Sequence, residues 1–167
     1  MRFNLVECRM VLFGISCLFG CWLTVTAVVA QRLVRRVCTN CREKGQPSRA
    51  ELRFLGIDRA EIKDVPFWKP GECAECNGTG FKGRIAIHEV MIPDDRFRDA
   101  VLRSASSKEL REAARLLPEF LTMQEDGLLK AAAGVTTLAE IISNAPRDTA
   151  PRPLSTLRSI ADSRRVS

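Results

Sequence analysis

The stretch C-A-E-C-N-G-T-G-F-K-G-R-I-A-I-H-E-V, residues 73–90, joins a close cysteine pair to three glycines and then to an alternating apolar run. The glycines permit tight reversals that other residues resist. Arg84 to Ile92 reads as a strand with Ile85 and Ile87 on one face, ended by Pro93. A second pair, C-T-N-C at residues 38–41, lies upstream, so the pattern is C-x2-C-x31-C-x2-C. Two residues between thiols let a knuckle aim both sulfurs at one point. Two knuckles supply the four ligands of a tetrahedral Zn²⁺ with bonds near ~2.3 Å and leave no open position. Cys38, Cys41, Cys73 and Cys76 are therefore expected to hold a structural zinc. An iron–sulfur site is the alternative metal reading. A thioredoxin-like redox pair would need one C-x-x-C at a strand-to-helix turn, which neither pair offers.

Working outward, Gln31 to Val37 reads as a short basic helix or turn leading into Cys38. Before it, Val11 to Ala30 carries no charge, and its length matches the roughly 20 residues of a membrane-crossing helix. Arg32, Arg35, Arg36, Arg42 and Lys44 follow the run, which would leave the rest of the chain in the cytoplasm. An export signal, or a buried strand and helix cut from a larger domain, are the competing readings. Ser48 to Leu55 reads as an amphipathic helix, with Ser48 and Glu51 at capping-box positions and Gly56 as its stop. Pro66, Pro70 and Gly71 mark a loop.

Past Pro93 the sequence predicts a run of short helices. Asp94 or Asp95 opens the first, with Phe97, Val101 and Leu102 as its apolar side. Ser106 with Glu109, Thr122 with Glu125, and Thr137 with Glu140 repeat one S/T-x-x-E device. Ala145 to Ser167 has little to bury and reads as a disordered basic tail, with Leu154, Leu157, Ile160 and Ala161 as a weak helical turn. The expected class is α+β. It comprises an apolar N-terminal helix (1–30), a tetracysteine zinc module with a short strand pair (31–92), a helical subdomain (93–144) and the tail (145–167).

The net charge of +6 does not imply nucleic acid, because basic residues are interleaved with acids and aromatics make up only 6%. No specific nucleic-acid binding is expected; a zinc-ribbon nucleic-acid binder is a rival class. An odd total of seven cysteines argues against a paired disulfide framework. His88 is the single histidine, so His88-Glu89 cannot start a zincin motif and reads as a strand residue. No Gly-Lys dipeptide occurs in the 167 residues, so no Walker A loop does either. No self-contained catalytic set is visible, and the chain alone is expected not to be an enzyme.

The stretch from Cys73 to Val90 resembles the type II secretion and type IV pilus assembly ATPases, the secretion protein E family. A-V-V-A-Q-R-L-V-R-R-V-C-T-N-C at residues 27–41 is similar to the segment carrying that family's first knuckle. M-Q-E-D-G-L-L-K-A-A-A-G-V-T-T-L-A-E-I-I at residues 123–142 looks like its closing helices. The resemblance, traced from Thr26 to Asn144, implies that Cys38 and Cys41 are the first metal pair and Cys73 and Cys76 the second. It also implies a cytoplasmic hexameric ATPase using ATP and Mg²⁺ on an inner-membrane platform protein, of which this chain reads as a C-terminal fragment. The apolar run then reads as a departure from the family: a gene remnant, a mistaken start, or a membrane anchor. A module completing a separately encoded ATPase core is a second functional reading. Cys73-x-x-Cys76-x-Gly78-x-Gly80 also resembles one repeat of the J-domain co-chaperone cysteine-rich region, a peptide-binding class, but the first pair lacks the G-x-G.

Overall fold

Val28–Val37 carries four valines, and this segment forms strand β1. A computed structural model describes residues 25–117, 119–146 and 150–166, and the side chains among them up to 163. Strand β1 pairs antiparallel with β4, Phe81–Met91, in a register that sets Val28 against Met91 and Arg35 against Arg84. Between the two lie β2 (Glu43–Lys44), helix α1 (Arg49–Leu55), a 3₁₀ turn at Arg59–Ile62 and β3 (Trp68–Lys69). Strands β2 and β3 form a second small ladder that closes the excursion between the cysteine pairs. The helices α2 (Asp95–Leu102), α3 (Ser107–Arg115), α4 (Met123–Ala132), α5 (Leu138–Asn144) and α6 (Leu154–Val166) follow.

Segment 31–37 is thus a strand, not the expected basic helix. Leu33, Val34 and Val37 sit at helical spacing, and a short apolar run is ambiguous between the two periods. A bulge between Arg35 and Val37 resolves the pattern: Val34 and Val37, three apart, are both buried. The apolar N-terminal helix is also corrected at its C-terminal end, because Val28–Ala30 belong to β1. Among the described residues no helix is long and apolar enough to cross a membrane. Residues 11–24 of the run lie outside the described residues.

A two-stranded ribbon is marginal by itself, and here α4 and the loop between α4 and α5 bond to its outer edges. Along β4, Asp126 Oδ2 accepts from the His88 backbone N at 2.8 Å, and Lys130 Nζ donates to the Ala86 carbonyl at 2.8 Å. Glu89 Oε2 accepts from Met123 N at 3.1 Å, which sets a carboxylate at the positive end of α4. Along β1, Val37 N donates to the Val135 carbonyl at 3.0 Å and Thr136 Oγ1 to the Arg35 carbonyl at 2.8 Å. Beneath the ribbon one apolar cluster draws on Val34, Leu55, Ile87, Leu128, Ile141 and Leu157. A smaller one gathers Phe97, Ala114, Leu117 and Phe120. Leu102, expected on the buried side of α2, is 63% exposed; Ala100 takes that place.

The caps at Ser48, Ser106 and Thr122 form as the sequence predicts, each with a reciprocal Glu. At Thr137 only half of the box forms. Its hydroxyl accepts from Glu140 N, but the Glu140 carboxylate turns to Arg35, accepting from the backbone N at 3.0 Å and from Nη2 at 2.8 Å. The tail is likewise corrected. Residues 154–166 form a helix, with Leu154 and Leu157 buried in the main cluster. Low apolar content hid this, because a few well-spaced leucines suffice when a core already exists to receive them.

Burial pushes the Glu140 carboxyl up, but hydrogen bonds from Arg35 outweigh it and hold it below its ordinary value. A depressed carboxylate stabilises the fold above its unfolded value, about 4.3, and that contribution disappears as pH falls through the folded value. Glu140→Gln is therefore expected to cost about 1–3 kcal/mol at pH 7 and to blunt the loss of stability on acidification below about pH 4.3. Urea unfolding of both proteins at pH 7 and pH 3 tests this; parallel pH dependences would count against it.

Candidate metal centre

Because β1 runs into Cys38 and β4 starts just after Cys76, the antiparallel pairing delivers both knuckles to the same end of the ribbon. Cys38 N donates to the Gly80 carbonyl at 2.9 Å, which ties one knuckle to the other. Each knuckle is wound by its own backbone. Arg42 N reaches the Cys38 carbonyl at 3.0 Å, and Gly78 N reaches the Cys73 carbonyl at 3.0 Å. Asn77 takes the left-handed conformation with φ 51°, which Asn tolerates better than most residues. Thr79 Oγ1 donates to the Cys76 carbonyl at 2.6 Å and fixes the exit toward β4.

The four sulfurs lie within 4.8 Å of one another. Cys38 and Cys73 Sγ are 3.8 Å apart, Cys41 and Cys76 are 3.7 Å apart, and Cys73 and Cys76 are 3.6 Å apart. A disulfide would bring a pair to about 2.05 Å. A tetrahedron with metal–sulfur bonds near ~2.3 Å has edges of about 3.8 Å, so the residues present fit a tetrathiolate metal. Cys38 and Cys76 are buried and Cys41 and Cys73 are half-buried. The Gly80 N–H donates to Cys76 Sγ at 3.2 Å, a bond that stabilises a thiolate.

The electrostatics point the same way. A hydrogen bond from the Asn40 side chain, with backbone help at Cys76, pulls the Cys73 thiol down to about 6. Desolvation, with three thiols close by, pushes Cys41 up to about 12. At Cys76 burial opposes ionisation, but backbone hydrogen bonds at Cys73 and Gly80 outweigh it and lower the thiol. Four sulfurs in contact cannot all carry charge unless a cation sits among them. The set could hold a metal ion, and with every ligand position filled by sulfur it offers no place for substrate.

Sequence reasoning identified the four cysteines and missed their supports. Arg42, next to Cys41, stacks over Trp68 at 4.3 Å and donates to the Gly134 carbonyl, linking the first knuckle to the end of α4. Asn40 was legible only as a polar residue inside the knuckle. His88 stands opposite Gln31 in the ribbon, with Nε2 3.2 Å from Gln31 Oε1, and is not part of the cluster.

A ribbon that gathers four cysteine thiols at one end, backed by α4 and α5, defines a small module that could hold a metal ion. The match to a family model described as type II/IV secretion system protein covers residues 7–143, and the chain belongs to that family. It is 42% identical over 125 residues to the type IV pilus assembly ATPase PilB of Thermus thermophilus, covering 75% of this chain and 14% of that protein. It is 37% identical over 120 residues to the type II secretion system protein E of Klebsiella pneumoniae, covering 71% and 23% respectively. With PilB of Myxococcus xanthus the identity is 35% over 127 residues, 75% of this chain and 22% of the relative. The chain thus spans less than a quarter of the length of these relatives. Because the family match starts at residue 7, the whole apolar run Val11–Ala30 falls inside it, and the expected departure before Thr26 is corrected.

Gly80 is held at φ +72°, and a Cβ there would lie 2.4 Å from Pro70 Cβ and 2.6 Å from the Gly71 carbonyl oxygen. Gly78 has nearly the same φ, +73°, with nothing within 4 Å. Gly78→Ala is expected to cost only the left-handed strain, about 1–2 kcal/mol. Gly80→Ala should cost more and weaken metal retention against a chelator. Thermal melts and competition with a chromophoric chelator check the pair; equal losses would mean that the close approach is unimportant.

Proposed function

We propose that this chain is a structural and interaction module of a secretion or pilus-assembly motor, pinned by one closed Zn²⁺ tetrathiolate, and that it hydrolyses no ATP by itself. What supports this reading is the near-tetrahedral spacing of the thiols of Cys38, Cys41, Cys73 and Cys76 on a ribbon inside the stretch that the family model matches. Zinc has no redox chemistry and accepts four thiolates without geometric penalty. In this role it supplies cross-linking, fixing the start of β4 to the end of β1. The absence of a Gly-Lys dipeptide from the 167 residues supports the lack of nucleotide chemistry.

In the working motor the module passes movement of the ATPase core, supplied by the same or another polypeptide, to an inner-membrane platform protein at its cytoplasmic face. The relatives' roles in pilus assembly and type II secretion support that setting.

Purified chain is expected to carry one zinc by elemental analysis. Structural zinc sites in small peptides contribute about 10–16 kcal/mol to folding, so Cys73→Ser or a strong chelator should abolish cooperative melting. Metal-free protein that melts with the same transition would overturn the structural role. Titration with MgATP should show no binding in the micromolar range, and release of phosphate by the pure chain would overturn that part of the reading.

A further inference from the structure

The family match ends at residue 143, yet the chain goes on to place a helix on the same core. Its anchor is Arg152. The backbone N and Nε of Arg152 donate to Glu125 Oε1 at 2.9 and 3.0 Å, and Nη2 donates to Oε2 at 2.8 Å and to the Phe120 carbonyl. Glu125 is 0% exposed, and its second cation, Arg115, lies 3.6 Å away and also donates to the Ala150 carbonyl at 3.1 Å. The forked guanidinium engages both carboxylate oxygens, a match that a lysine ammonium cannot reproduce. Pro153 precedes the helix, where its fixed φ favours a helix start. Leu154 and Leu157, three apart on one stripe, are 4% and 0% exposed, and Ile160 packs behind them. The remaining described side chains of α6 are polar or small.

This is how a helical peptide is held in a groove: one oriented charge at its start and apolar anchors at turn spacing. The contacts are few compared with those of α4, and segments with few buried apolar contacts open independently of the core. The segment also lies outside residues 7–143, the stretch that the family model matches, whereas the surface beneath it lies inside that stretch.

We propose that the surface formed by the turn before α4 and by α4 itself, keyed on the Glu125 carboxylate, is a recognition site for a helical Arg-x-Leu-x-x-Leu segment. This chain fills it with its own residues 150–160, as a strap that opens to admit the same motif from outside. The reading does not depend on the metal or on the motor assignment.

Hydrogen exchange on the intact chain as purified is expected to show the α6 amides exchanging at least tenfold faster than those of α4. Equal protection would mean that α6 is core and would overturn the proposal. A labelled peptide of residues 150–163 should bind the full chain carrying Arg152→Ala with Leu157→Ala at least tenfold more tightly than wild type, whose own strap competes. Replacing the peptide's arginine by lysine should weaken binding at least tenfold. No binding to the double variant, equal binding to both chains, or loss of cooperative melting in the double variant would each overturn the proposal.

Discussion

Four thiols within 4.8 Å of one another, with three pairs at 3.6–3.8 Å, cannot all ionise side by side, and that mutual repulsion constrains the rest of the molecule. A cation at their centre would convert the repulsion into four bonds, but only if two pairs separated by 31 residues arrive together. Antiparallel pairing of β1 with β4 is the economical way to bring them there. One strand ends where the first knuckle begins, and the other begins where the second ends. The intervening excursion need only close on itself, which the β2–β3 ladder and the bond from Cys38 N to the Gly80 carbonyl accomplish.

The ribbon in turn depends on α4 and α5. Asp126 and Lys130 occupy the hydrogen-bonding edge of β4, while Val135, Thr136 and Glu140 occupy that of β1. These contacts satisfy part of each edge, at Arg35 and Val37 on β1 and at Ala86 and His88 on β4. Arg42 closes the loop between chemistry and fold. It follows a thiol ligand directly, stacks on Trp68 and reaches the carbonyl of Gly134, where α4 ends. The first knuckle is thereby tied directly to the end of α4.

Much of this was legible because it is encoded locally. The C-x-x-C spacing, the S/T-x-x-E caps and the period of Ile85 and Ile87 are each contained within a few residues, and the structure places each accordingly. What was not legible depends on distant partners. Segment 31–37 has apolar residues that fit either period, and its choice of strand is made by β4 some fifty positions later. The Thr137–Glu140 box looks identical in sequence to the one at Thr122, but Arg35 offers Glu140 a stronger bidentate partner than the backbone N–H of Thr137. The tail appeared too polar to fold, and by itself it is; its order comes from a carboxylate and an apolar surface belonging to α4 and its surroundings.

The two buried carboxylates show how one sequence device serves two ends. Both Glu125 and Glu140 stand at the third position of a helix opened by threonine, and burial alone would raise the pKa of each. Each is instead held ionised by an arginine from a remote segment: Arg152 from the tail for Glu125, Arg35 from β1 for Glu140. A desolvated carboxylate at a helix start already benefits from the positive end of the helix, and the arginines add to it: Arg35 at Glu140, and Arg152 with Arg115 at Glu125. The first turns of α4 and α5 therefore act as sockets. One receives the strand that leads to the thiols and the other receives the appended helix. The sockets sit on different helices, so the Arg152–Glu125 and Arg35–Glu140 contacts share no residue, although the appended helix and the ribbon rest on one apolar cluster.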